Sequence, residues 1–127
     1  MLNLGHTFGH ALERACSYDS TRLVHGEGVA IGMAMAFRFS QMLELCSGQD
    51  SVRVEAHLKA AGLPTRLADV PGGAGHADSL IDAMLQDKKV RRGALTFILA
   101  RGIGRSFVAR DVPVQKVQEF LATELTR

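Results

Sequence analysis

Three of the five histidines, His6, His10 and His25, gather near the start of the 127-residue sequence. In the stretch Leu2-Asn3-Leu4-Gly5-His6-Thr7-Phe8-Gly9-His10-Ala11-Leu12-Glu13, the first two imidazoles stand at i and i+4. A helix turns about 100° per residue, so both rings project from one face, and a third imidazole on a neighbouring helix can converge on them. Imidazole nitrogens collected this way suit a divalent transition metal, and a catalytic zinc centre needs only three protein ligands. Zn²⁺ is the natural candidate, with Mn²⁺, Co²⁺ and Fe²⁺ open. The spacing taken bare is a weak signal, because most such pairs are ordinary surface or core residues. What sets this cluster apart is its glycine flanks, the Gly26-Glu27 pair directly after His25, and the scarcity of histidine elsewhere.

These residues need helices to hold them. Phe8, Ala11, Leu12 and Ala15 repeat at helical spacing, so a helix from about Thr7 to Cys16 carries His6 and His10 at or near its start. The polar run Ser17-Tyr18-Asp19-Ser20-Thr21 reads as a surface loop, and His25 then opens a second helix from about Gly26 to Leu45. That helix is apolar nearly all round and therefore central. Gly5 and Gly9 about the start of the first helix, with Gly26, Gly28 and Gly32 on the second, predict places where backbones or a ligand come close. Ser47-Gly48 closes the second helix. Asp50 is the expected N-cap of a third helix through Ala61, ended by Gly62 and Pro64. After the Pro71-Gly72-Gly73-Ala74-Gly75 loop, a fourth helix capped by Asp78 or Ser79 buries Leu80, Ile81, Met84 and Leu85 and delivers Asp87-Lys88-Lys89. Leu95 to Ala100 and Ser106 to Ala109 form a small hairpin, and Pro113 starts a closing helix with Val114, Val117, Leu121 and Leu125 as its stripe. The expected fold is mostly α: one multihelical domain over residues 1–127 with a small β-hairpin near residues 95–109.

Composition narrows the functions. Apolar residues make up 46% of the chain, enough for one compact domain with its own core. Fifteen basic and thirteen acidic residues leave a formal charge of +2, and the basic side chains are scattered rather than arrayed in a stripe, which argues against nucleic acid as a partner. Cys16 and Cys46 lack a CxxC spacing and read as reduced thiols of a cytoplasmic protein. The histidine motif begins too early to leave room for a signal peptide. The apolar run from Gly26 to Phe39 is too short to span a bilayer, so no membrane association is expected.

The motif around His6 and His10, then His25-Gly26-Glu27-Gly28-Val29-Ala30-Ile31-Gly32-Met33, Asp87-Lys88-Lys89 and the Gly102-Ile103-Gly104 turn closely resemble the 3-dehydroquinate synthase family of the sugar-phosphate cyclases. Order and separations match from near Met1 to the end, except that the loop between His10 and His25 is a few residues longer. The resemblance covers only the family's C-terminal helical half; the N-terminal Rossmann-like half, which in the family binds NAD, is not in this sequence.

The resemblance implies a role for each matched position. His6 and His25 correspond to two histidine ligands of the catalytic divalent metal, Zn²⁺ or Co²⁺, whose third ligand is a glutamate upstream. His10 corresponds to a catalytic histidine that faces the substrate and its phosphate, not the metal. Asn3 matches a substrate-binding asparagine, and Lys88 or Lys89 a contact to a substrate anion. Glu27 is the expected partner of His25. Each residue also has a structural reading: Asn3 as a helix cap, the lysines and Glu27 as complements to helix dipoles. His57 and His76 match nothing and read as exposed.

The implied reaction converts 3-deoxy-D-arabino-heptulosonate 7-phosphate to 3-dehydroquinate and phosphate, in a full-length homodimer that uses NAD. This chain by itself, with two of three metal ligands, is expected to be inactive. The alternatives are another sugar-phosphate cyclase, a metal-dependent polyol dehydrogenase of related fold, or a non-catalytic truncated helical module.

Overall fold

The computed structural model describes residues 4–16, 23–73, 75–87 and 94–127. In chain order, the described residues form α1 (His6–Ala15), α2 (His25–Met42), α3 (Gly48–Ala60), a 3₁₀ turn (Leu67–Asp69), α4 (Ala77–Asp87), β1 (Ala94–Gly102), β2 (Arg105–Pro113) and α5 (Val114–Leu125). Mostly helical architecture with one antiparallel hairpin is therefore the observed fold. No helix is long and apolar enough to cross a membrane among the described residues.

Helix α2 is the axis of the domain. Ala30, Ile31, Ala34, Met35, Ala36, Phe37 and Phe39 are all buried, so its middle turns are covered on nearly every side. Phe8 of α1, Phe39 of α2, Phe97 of β1 and Phe120 of α5 meet in one aromatic cluster with ring centroids 4.8–5.8 Å apart. These edge-on, tilted and stacked contacts tie four elements together at one point. Ser40, fully buried, donates its hydroxyl to the Ala36 carbonyl (2.7 Å) and accepts the Ala100 N–H (3.0 Å), so a polar side chain links α2 to β1 without an unpaired group.

Along β1, Leu95, Phe97 and Leu99 face inward with the two-residue period of a half-buried strand. The hairpin turns at Ile103-Gly104, where Gly104 takes φ +76°. It extends past the expected Ala109 because an irregularity between the pairs Leu95–Val112 and Phe97–Ala109 lets β2 continue to Pro113, with Asp111 at φ +60° absorbing the extra residue.

Three boundary expectations change. Ser47 does not close α2, which ends at Met42; its hydroxyl caps α3 by accepting the Asp50 N–H at 3.3 Å, so Asp50 is a first-turn residue and not the cap. Asp78 lies inside α4, not before it. Pro113 is the residue just before α5, and the buried stripe of that helix runs through Val117, Phe120, Leu121 and Glu124, with Val114 and Leu125 only partly covered.

Arg38 sits mid-helix in α2 and is 6% exposed, paired with Glu124 of α5, 2% exposed. Its Nε donates to both carboxylate oxygens at 3.0 Å, and Nη2 donates to Glu124 Oε1 and to the Thr65 carbonyl, each at 2.7 Å. Glu55 of α3 approaches Nη1 at 3.5 Å and accepts the Thr65 hydroxyl at 2.9 Å. A forked guanidinium suits this two-oxygen contact in a way that an ammonium does not.

Candidate functional site

The site is built by an unusually close helix contact. A Cβ placed on Gly32 would lie 2.4 Å from the Gly5 carbonyl oxygen and 3.0 Å from the Gly9 nitrogen. One on Gly9 would lie 3.0 Å from the Gly28 oxygen, and one on Gly5 would strike the Gly32 backbone. Gly5, Gly9, Gly28 and Gly32 are thus where α1 and α2 touch backbone to backbone, as the glycine spacing predicts. Gly26 meets nothing within 4 Å and has no packing role of this kind. Gly5 carries a second demand: at φ +78° it precedes α1, and its carbonyl accepts the Gly9 N–H at 2.9 Å.

This approach brings His6, His10 and His25 to the wall of one cleft of about 140 Å³, with Gly5 and Gly9 beneath and Glu13 beside them. His6 and His10 stack at 4.1 Å between ring centroids, tilted by 41°. On the opposite face of α1, Phe8 and Leu12 anchor the helix in the core, so the imidazole face is fixed by what lies behind it. His25, the first residue of α2, is 72% exposed in its side chain, and its Nδ1 lies 3.0 Å from Glu13 Oε1.

Glu27 is not the partner of His25. Its Oε1 accepts the Val24 N–H at 3.0 Å and so caps α2, the local reading of an acidic residue in a first turn. Glu13 was the residue to find: His6, His10 and Glu13 stand at i, i+4 and i+7, a single helical stripe. Asn3, Lys88 and Lys89 lie outside the described residues. His57 and His76 are exposed, in agreement with their sequence reading. Among the described residues, no group of three His, Cys, Asp or Glu side chains is disposed to hold a metal. The three imidazoles line a cleft without forming a closed ligand set.

The donor chemistry nonetheless fits a divalent ion. With Nδ1 3.0 Å from the Glu13 carboxylate, a neutral His25 that donates there would keep its lone pair on Nε2, the arrangement common to metal-bound histidines. A larger cavity of about 630 Å³ lies between α2, α3 and the hairpin turn, walled by Met33, Phe37, Leu58 and Ile103. Among the described residues, its lining includes none of His6, His10 and His25.

Comparison with known proteins gives the same direction. Residues 1–90 match the family model described as 3-dehydroquinate synthase C-terminal. Over 125 residues the chain is 68% identical to the 3-dehydroquinate synthase of Brucella anthropi and 64% identical to those of Brucella ovis and Brucella canis. Each match takes in 98% of this chain and 33% of the relative, so the chain spans about a third of the length of the curated relatives it matches.

Among solved structures, a 2-deoxy-scyllo-inosose synthase complexed with carbaglucose-6-phosphate, NAD⁺ and Co²⁺ superposes with a TM-score of 0.79 at 26% identity, over 96% of this chain and 34% of that one. The 2-epi-5-epi-valiolone synthase of Streptomyces hygroscopicus, with NAD⁺ and Zn²⁺ bound, gives 0.75 at 27% identity, over 98% and 32%. The fold, the histidine motifs and the family match agree: the chain belongs to the 3-dehydroquinate synthase C-terminal family.

Proposed function

We propose that this chain is the metal- and substrate-binding part of a 3-dehydroquinate synthase, which forms 3-dehydroquinate and phosphate from 3-deoxy-D-arabino-heptulosonate 7-phosphate. The observation that carries this reading is the convergence of His6, His10 and His25 on one cleft through the glycine contact of α1 and α2. Identity of 64–68% to enzymes named 3-dehydroquinate synthase favours that substrate over those of the other sugar-phosphate cyclases, to which similarity is 26–27%.

In this reading His6 and His25 are two ligands of a Zn²⁺ or Co²⁺ ion, with the remaining ligand and the NAD site contributed by sequence outside these residues. The bound ion supplies Lewis acidity toward a substrate oxygen, and NAD supplies a reversible hydride acceptor. His10, on the same face of α1 but not assigned to the metal, orients the substrate phosphate and moves a proton at its imidazole. Asn3 hydrogen-bonds the substrate, and Lys88 or Lys89 neutralises one of its anionic groups. The full-length enzyme is a cytoplasmic homodimer that binds neither nucleic acid nor membrane. The 127 residues alone turn over no substrate.

Titration of zinc into the wild-type chain, His6→Ala and His10→Ala tests the assignment. The reading expects measurable binding that is lost in His6→Ala and retained in His10→Ala. Equal binding in all three, or none in any, contradicts it, as does turnover of the heptulosonate phosphate by this chain with NAD and Zn²⁺ and no other protein.

A further inference from the structure

We infer that Glu13 is a positioning residue for His25, fixing the ring so that Nε2, not Nδ1, is presented to a divalent cation. The inference rests on the metal reading above but concerns a residue to which that reading gives no role. Three observations carry it. Glu13 Oε1 lies 3.0 Å from His25 Nδ1, so a neutral His25 donates its Nδ1 proton to the carboxylate and keeps its lone pair on Nε2.

The burial of the pair is lopsided. The His25 side chain is 72% exposed while that of Glu13 is 15% exposed, so the imidazole is free to meet a ligand and the carboxylate is the sheltered member. An exposed ion pair formed only for stability contributes little, and long exposed side chains lose entropy in holding one geometry. A sheltered acid that grips an exposed imidazole instead reduces the freedom of the imidazole.

The carboxylate is itself held in place. A Cβ on Gly28 would meet Glu13 Cγ at 3.4 Å and Leu23 Cδ2 at 3.5 Å, so the Glu13 stem lies along the bare backbone of α2 one turn past His25. The same glycine that lets the helices approach therefore seats the acid that aims the ligand. Glu27, the nearer acid in sequence, is occupied with the Val24 N–H and cannot take over.

Two measurements on the 127-residue chain separate this inference from the metal assignment it builds on. The first is the tautomer of His25 in the metal-free protein, read from long-range ¹⁵N–¹H correlations in mildly alkaline buffer. The Nδ1–H form is expected in wild type, with a shift toward the Nε2–H form in Glu13→Ala. The second is zinc affinity by competition with a chromophoric chelator, where Glu13→Ala is expected to weaken binding by about 10- to 100-fold and Glu13→Gln by less.

An unchanged tautomer in Glu13→Ala overturns the inference whatever the metal does. Unchanged zinc affinity in a folded Glu13→Ala, beside loss in His6→Ala, overturns it while leaving the metal assignment intact. A changed tautomer with no zinc binding in wild type overturns the metal assignment instead. Far-ultraviolet circular dichroism and the thermal midpoint of each variant show whether it folds, and Glu13→Gln, which keeps the shape, serves if Glu13→Ala does not.

Discussion

Helix α2 carries two residues paired with acids, His25 at its start and Arg38 farther along, and the two pairs are built in opposite ways. Near its start, His25 is 72% exposed and is held by a carboxylate that is 15% exposed. Thirteen residues on, Arg38 and Glu124 are 6% and 2% exposed and are joined by three hydrogen bonds. Both contacts bridge separate helices, yet only the first leaves a nitrogen facing open space. The difference lies in what surrounds them: at the start of α2 glycines leave a cleft beside an exposed imidazole, whereas Glu55, the Thr65 carbonyl and Glu124 close around the Arg38 guanidinium. The start of α2 borders an open cleft, and Arg38 ties α2 to α3 and α5.

That contrast predicts unequal costs of substitution. The largest falls at the buried pair: Glu124→Ala strands the Arg38 guanidinium away from water and is expected to cost about 3–5 kcal/mol. Urea denaturation measures this, and a loss below about 1 kcal/mol would mean that Glu55 or solvent takes over the charge. His25→Ala should change stability little, because an exposed pair contributes about 0–1 kcal/mol.

Next is the glycine contact itself. Gly32→Ala puts a methyl group 2.4 Å from the Gly5 oxygen. Both neighbours are backbone, so α1 and α2 must part, at a cost of about 1–3 kcal/mol by the rule for overpacked cores. Gly26→Ala, with nothing within 4 Å, is expected to be neutral or slightly stabilising, because alanine is the better helix former. Comparing the thermal midpoints of the two variants tests whether close approach, rather than glycine content, is what the motif requires.

The smallest expected effect is in acid. Burial by itself raises the Glu55 carboxyl, but the Thr65 hydroxyl and the charges of Arg38, Lys59 and Arg127 outweigh it and hold the group below its ordinary value of 4.5. A carboxyl depressed in the folded state stabilises the fold fully above that ordinary value, and the contribution is lost as pH falls through the folded one. Asp69 behaves likewise: burial raises it, and the Thr65 and Arg66 N–H groups and the Arg66 charge lower it below 3.8. Stability should therefore fall below about pH 4.5, and Glu55→Gln should flatten part of that slope. An identical pH dependence in Glu55→Gln contradicts the assignment.

Much of this was legible in the chain itself. The helical period of Phe8, Ala11 and Leu12, the alternation of Leu95, Phe97 and Leu99 and the glycines of α1 and α2 are local signals, and the corresponding elements stand where those patterns put them. Caps were harder, because Ser47 and Asp50 are both good N-cap residues and only the backbone geometry chooses.

The buried Arg38–Glu124 pair was not legible, since its members are 86 residues apart and a charge in an apolar helix reads locally as an edge. Glu27 and Glu13 show the same limit at the site. Sequence proximity to His25 favours Glu27, but a first-turn carboxylate is claimed by its own helix end, and only helix packing brings Glu13 across.

The proposed metal site pairs His6 with His25 and not with its i+4 neighbour His10. A crystal structure of a zinc-loaded full-length enzyme containing this sequence, with the ion located by anomalous scattering, tests it most directly. Nitrogen atoms of His6 and His25 are expected at about 2.0–2.1 Å from one ion, with His10 outside its coordination sphere. An ion bound by His6 and His10 together, or one that His25 does not touch, would contradict it.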